Sequence, residues 1–168
     1  MSMRRIKPEP LSAQAFAAYG DVIEISDTKS PLIINEGLTE RFHDLAKLDL
    51  LAKGGKAIIS LFRTRPLPRP LIIKTMERHP LSSQAFYPLS DQPYMVVVAD
   101  KGDFDTKNIK AFLARPDQGI NYHAGVWHHY SLALNQTSNF LVIDRGGAPV
   151  DNCDEVKLDE QEQLRIEY

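Results

Sequence analysis

The chain has 168 residues, of which 43% are hydrophobic and 25% charged, the proportions of a globular protein, and its length predicts one domain over 1–168. A formal net charge of −2 provides no concentrated basic surface, which argues against nucleic acid as a partner. The lone Cys153 excludes an internal disulfide, and no apolar run approaches a membrane span, so a cytoplasmic chain without membrane contact is expected.

The first residues are basic but lack the apolar stretch of a secretory leader. Ser12 then precedes a run of helix formers that ends at Gly20, predicting a two-turn helix over 13–19 with Ser12 as N-cap. From there the period changes. Segments 21–25, 56–62, 71–77, 94–98, 110–114, 128–134 and 140–143 are short, rich in β-branched or aromatic residues, and mostly bounded by turn residues. Such spacing with little intervening helix predicts a mainly β, antiparallel sandwich or barrel. Gly54-Gly55 and Gly146-Gly147 read as tight turns, and 34–45 reads either as an arm docking on another subunit or as a loop over the barrel mouth. The acidic stretch from Asp151 is expected to lie on the surface, with 164–166 as a candidate late strand.

Two stretches carry the residues suited to chemistry. In Glu77-Arg78-His79 the first and third side chains share one face of a strand, because successive residues alternate sides, while Arg78 points out. Pro80 favours extended geometry at His79, and Gln84 can return on a neighbouring strand after a Pro-Leu-Ser-Ser turn. The second stretch, Asn121-Tyr-His-Ala-Gly-Val-Trp-His-His129, holds three of the chain's five histidines. A structural turn has little use for so many ionisable groups. His128 and His129 must face opposite sides of a strand, and the spacing puts His128 inside. Trp127 reads as a wall or interface residue. Carboxylate, imidazole and amide together suit a borderline divalent metal or a small polar acid. For a carboxylate ligand, Arg41, Arg63, Arg78 and Arg145 are all candidates through bidentate hydrogen bonds, with Arg63 preferred because it ends a strand that can rim a cavity.

The layout matches the cupin motifs, His-x-His with a Glu five residues on and a later Gly-x-x-His, with Glu77 in place of the first His and Gln84 in place of the Glu. More specifically, the segments Asn35-Glu-Gly-Leu-Thr-Glu-Arg-Phe-His-Asp-Leu-Ala46, Glu77-Arg-His-Pro-Leu-Ser-Ser-Gln-Ala-Phe86, Gly119-Ile-Asn-Tyr-His-Ala-Gly-Val-Trp-His-His129 and Phe140-Leu-Val-Ile-Asp-Arg-Gly-Gly147 with Asp151-Asn-Cys-Asp154 resemble the ureidoglycolate lyase family. The likeness runs from about Leu11 to Asp154. It implies a cupin-type double-sheet antiparallel β-barrel with a short N-terminal helix, a homodimer, and conversion of (S)-ureidoglycolate to glyoxylate and urea in allantoin breakdown. It also implies a divalent metal, with Ni²⁺ the expected ion.

Applied to these residues, that chemistry gives His79, Gln84 and His128 to the metal or the substrate oxygens, and makes Glu77 a fourth ligand or the base. Asn121, Tyr122 and His123 become candidates for the urea end, with His123 also a candidate acid–base group. Two other readings stand beside it: an amidohydrolase releasing ammonia from the same substrate, and a non-catalytic cupin that binds a small carboxylic acid. The usual three-His set of an iron dioxygenase is absent from the motif. Cys153, flanked by carboxylates, is a poor nucleophile.

Overall fold

The computed structural model describes residues 3–147 and 151–168. Alternating side-chain patterns build two antiparallel sheets that face one another. One runs in the order Asp154–Lys157, Thr75–Arg78, Trp127–His128, Tyr94–Ala99, Lys110–Ala114 and Glu9–Pro10, with Leu132–Ala133 also paired to Tyr94–Ala99. The other runs Gly20–Ile23, Gly119–Tyr122, Gln84–Pro88, Ser138–Gly147 and Gly55–Thr64. Every pairing within these two sheets is antiparallel except Glu9–Pro10 on Lys110–Ala114. This is the mainly β, double-sheet architecture of a cupin that the sequence predicts.

Val96, Val98 and Phe112 from the first sheet meet Phe86, Ile120, Phe140 and Val142 from the second in a shared core. Phe16 closes one end, fully buried, with its ring edge-on to Phe112 at 5.7 Å. The strand Tyr94–Ala99 is buried along its whole length because its alternate residues, Met95, Val97 and Ala99, enter a second core on the far side. There they pack beneath a small third sheet of Arg4–Ile6, Leu164–Ile166 and Leu71–Ile73. A strand covered on both faces reads as a continuous apolar run, which Tyr-Met-Val-Val-Val-Ala is.

The helix is shorter than predicted. It spans Ala13–Phe16, and the Ser12 hydroxyl accepts from the Ala15 N–H at 3.2 Å as its N-cap. Gly20 is not its terminator but the first residue of a strand, and a Cβ there would stand 1.9 Å from the Asn121 carbonyl oxygen. The acidic segment after Asp151 also differs from expectation. Asp154–Lys157 pairs with Thr75–Arg78 and its Asp154 carboxylate accepts from Arg78 Nε at 2.7 Å, so a surface stretch contributes a sheet edge. Gly54 takes a turn conformation with φ +74°, whereas Gly55 and Gly146 belong to the long antiparallel pair Gly55–Thr64 and Ser138–Gly147.

Two apolar surfaces remain open. On the edge strand Gly55–Thr64, Ile59 and Leu61 are each 71% exposed. The segment read as arm or loop forms a hairpin, Leu32–Ile34 with Thr39–Arg41, that pairs with no other strand among the described residues and leaves Leu38 87% exposed.

Gly20→Ala forces the strand Gly20–Ile23 away from Gly119–Tyr122, and overpacking of this kind costs about 1–3 kcal/mol. Urea unfolding should show that loss as a lower midpoint with unchanged slope; a midpoint equal to wild type would mean that the contact is relieved without cost.

Candidate active site

The register of the first sheet assembles the site. His128 lies directly opposite Glu77 across an antiparallel pair, so both side chains point to the same face. His79 follows Glu77 by two residues and shares that face. One ligand atom from each of Glu77, His79 and His128 lies within 4.8 Å of the others. The chain then turns through 80–83 into the second sheet, where Gln84 starts a strand opposite Tyr122. Tyr122 stacks on His128 with ring centroids 4.1 Å apart and planes inclined by 5°, which locks the imidazole from the opposite wall.

Backbone carbonyls decide which nitrogen of each histidine carries the proton. A carbonyl only accepts, so His79 Nδ1–H donates to Asn152 O at 2.8 Å and His128 Nδ1–H donates to His129 O at 3.2 Å. In the neutral tautomer that these bonds select, Nε2 carries the lone pair, and both Nε2 atoms are buried and unpartnered among the described residues. The same holds for Gln84 Oε1 and Asp144 Oδ1. Gln84 Nε2–H donates to Asp144 Oδ2 at 3.2 Å, which turns the amide oxygen away from the carboxylate. These four can all accept, and a fifth buried orphan, Asn121 Oδ1, lies apart from them on the residue whose amide nitrogen donates to Asp21. Buried acceptors without donors are costly, and the ligand that relieves them is a cation or a group rich in N–H and O–H. Two imidazoles and a carboxylate, each ring oriented by a carbonyl at Nδ1, are a fitting set for a borderline divalent metal.

His79, Gln84 and Asp144 line a cavity of about 370 Å³ together with Ser82, Arg145 and Cys153. His128 sits beside His79, their ring centroids 5.3 Å apart. Burial, then the neighbouring His79, pushes the His128 pKa down to about 3, so its ring is neutral at physiological pH. Burial raises the Glu77 carboxyl above its usual range, a shift that His79 partly opposes and Glu155 reinforces. Burial followed by the charges of Glu77, Glu155, Asp154 and Asp151 raises the Cys153 thiol, which disfavours the thiolate.

Other residues singled out from sequence fall elsewhere. Asn121 and His123 converge on Asp21, whose Oδ2 accepts from Asn121 Nδ2 at 2.9 Å, lies 3.1 Å from His123 Nε2 and accepts from the Lys47 N–H at 3.0 Å. His123 lines a separate cavity of about 220 Å³ with Lys47, Ser83 and Lys101. Burial raises the Asp21 carboxyl, but the hydrogen bonds from Asn121, Lys47 and His123 outweigh it and leave the pKa lowered. Arg63 lies on the edge strand, where Nε donates to Asn139 at 3.1 Å, and does not line the Gln84–Asp144 cavity. Arg145 does line it. Its Nε and Nη2 donate to Ala52 O, which fixes the guanidinium on the wall.

His129 faces away from the Glu77 set, buried, with Nδ1–H donating to Tyr130 O at 3.0 Å. Trp127 packs under Arg78, 4.6 Å from the guanidinium carbon to the ring centre, and donates to Gly102 O. Asp144 was not singled out from sequence. The available signal was periodic: Phe140 and Val142 point into the core, so Asp144 is a charge at the next inward position.

A double-sheet barrel with an inward Glu, His, His set beside a polar cavity defines a cupin-type site for a metal or a small acid. The family-level comparison makes that class specific. The ureidoglycolate lyase family model matches residues 3–167, and the chain belongs to that family. A ureidoglycolate lyase of Burkholderia mallei is 51% identical over 145 residues, covering 86% of this chain and 85% of its own. Those of Pseudomonas syringae pv. tomato and Pseudomonas aeruginosa PAO1 are each 46% identical over 166 residues, covering 98% of this chain and 96% and 97% of theirs.

The buried imidazoles set a pH dependence. Burial holds His128 at about 3 and His129 at about 4, against 6.5 when unfolded. Between those limits the unfolded chain binds more protons, so stability is full above about pH 6.5 and drains as pH falls toward the folded values. Calorimetry on chelator-treated protein should show Tm falling from pH 6.5 to pH 4.5, with a shallower slope in His129→Gln. Equal slopes would remove His129 from the explanation.

Proposed function

We propose that this chain is a ureidoglycolate lyase that cleaves (S)-ureidoglycolate to glyoxylate and urea in allantoin breakdown, as a cytoplasmic, single-domain homodimer that uses a divalent metal, with Ni²⁺ the expected ion. The observation that carries the reading is the buried set of acceptor groups around Glu77, His79, Gln84 and His128, beside a cavity whose only thiol is held protonated. The exposed apolar hairpin and the outer face at Ile59 and Leu61 support the homodimer, since such surfaces mark contacts between chains. No helix among the described residues is long and apolar enough to cross a membrane.

The substrate carries a hydroxyl and a ureido nitrogen on one carbon, next to a carboxylate. Its collapse moves the hydroxyl proton to the departing nitrogen, forms a carbonyl and breaks the carbon–nitrogen bond. His79 and His128 would hold the metal, with Gln84 beside them and Glu77 either a further ligand or, in this mechanism, the base, and when bound it would supply Lewis-acid polarisation of the substrate hydroxyl. Arg145 orients the substrate carboxylate from the cavity wall. The Glu77 carboxylate takes the hydroxyl proton as the carbonyl forms and returns it to the leaving nitrogen. A carboxyl raised by burial suits both halves of that transfer, and acid–base assistance of this kind contributes typically about 10²–10⁴-fold. No water is consumed, and no activated nucleophile is required.

Incubation with (S)-ureidoglycolate should yield glyoxylate and urea in equal amounts, with ammonia no higher than in an enzyme-free control. Stoichiometric ammonia would identify an amidohydrolase, and glyoxylate at the spontaneous rate would identify a binding protein. His128→Ala should lower kcat/KM at least about 100-fold with the fold intact by circular dichroism; activity within about threefold of wild type would take His128 out of the site.

Chelation and dialysis should lower activity, and Ni²⁺ or Mn²⁺ should restore it better than Mg²⁺, which prefers all-oxygen ligands. Full activity in protein shown metal-free by elemental analysis would overturn the metal assignment.

A further inference from the structure

We infer that Gln84 and Asp144 together form the receptor for the ureido end of the substrate, and that this pair sets the enzyme's preference for N–H-bearing leaving groups. The inference rests on the ureidoglycolate reading and assigns a function to a residue, Asp144, that the family match leaves without one. Antiparallel register brings the two side chains together: Ile143 pairs with Ala85, so the next step places Asp144 opposite Gln84 on the inward face. Gln84 Nε2–H donates to Asp144 Oδ2 at 3.2 Å. One contact therefore fixes both groups, and each is left with one buried oxygen that has no partner among the described residues, Gln84 Oε1 and Asp144 Oδ1. Both residues line the cavity that Arg145 also lines.

A ureido group, –NH–CO–NH₂, is a planar donor with three N–H bonds. Its terminal amide presents hydrogens that two neighbouring acceptor oxygens can take, and the departing product, urea, offers more. The other product, glyoxylate, has no N–H. A carboxylate and an amide oxygen left unpaired in a buried wall thus discriminate between the two halves of the substrate, because a ligand without N–H leaves both oxygens unsatisfied. Of the other candidates for this end, the Asn121 amide nitrogen and His123 are engaged by Asp21, Tyr122 stacks on His128, and none of the three lines the cavity.

The test compares wild type with Asp144→Asn, which keeps the shape but replaces one acceptor oxygen with a donor. With wild-type turnover established, the variant should raise KM for ureidoglycolate and the inhibition constant of urea by about 10- to 100-fold, the loss expected for a charged hydrogen bond. Inhibition by glyoxylate should stay within about twofold. A second measurement needs no variant: urea should compete with substrate in wild type at millimolar concentrations that leave the fold intact, while acetone, of the same shape but without N–H, should not. Unchanged urea inhibition in Asp144→Asn, equal inhibition by acetone and urea, or a parallel loss of glyoxylate and urea binding would overturn the inference and leave the lyase reading standing. Absence of turnover in wild type would instead overturn the lyase reading, and this inference with it.

Discussion

Trp127–His128 is a strand of only two residues, held between Thr75–Arg78 and Tyr94–Ala99, and its register there decides which of two adjacent imidazoles reaches the site. His128 pairs with both Glu77 and Val98, and with that alignment its side chain shares the face of Glu77 and His79. A slip of one residue would deliver His129 instead and turn His128 outward. The alignment is secured on both sides of the strand. Trp127 packs on Arg78 and Phe104 on one face, and Tyr122 stacks on His128 on the other. Gly125, at φ +80°, lets the chain turn sharply into this strand, and its N–H donates to His79 O at 2.9 Å. The two histidines are therefore joined through backbone as well as through the cavity.

The electrostatics follow from that placement. Burial makes the charged form of the His128 imidazole expensive, and carbonyls occupy Nδ1 of both His79 and His128, so Nε2 is the nitrogen each ring offers to a ligand. Glu77 supplies the negative charge of the set, moderated by the same burial. The polar groups on the opposite sheet, Gln84 and Asp144, satisfy each other with one atom apiece and reserve the second. A site built this way binds through groups held in advance by the two sheets, with little rearrangement left to the ligand.

Much of this was legible in the sequence because the signals were periodic. Glu77 and His79 at i and i+2, and the opposed faces of His128 and His129, require only the two-residue repeat of a strand. The continuous apolar run at 94–99 marked a buried strand, although a linear pattern could not say that a third small sheet would cover its outer side. What stayed hidden depended on pairing between distant segments. Asn121 and His123 look like site residues in a line of text, but Asp21, a hundred residues earlier, engages the Asn121 amide nitrogen and the His123 ring away from the Gln84–Asp144 cavity. Arg63 looks like a rim residue until its strand proves to be the sheet edge. Gly20 carries the composition of a helix end, while its real constraint is a carbonyl on a strand far along the chain. Asp144 was within reach of the same alternation that located Glu77, as a charge at an inward position.

The double burial of Tyr94–Ala99 has a bearing on dynamics. Its neighbours Trp127–His128 and Lys110–Ala114 flank it, one core covers each face, and its side chains are 3% exposed or less. Backbone amides in such a position exchange with solvent hydrogen only when the whole domain opens, whereas termini, hairpins and edge strands open locally. The strand that carries His128 is clamped against this slowest-exchanging segment. Local opening of the apolar hairpin or the Gly55–Thr64 edge would leave this segment closed, so amide exchange at 94–99 is expected to be slower than at those two elements, and the imidazole of His128 is held by the slower part of the sheet.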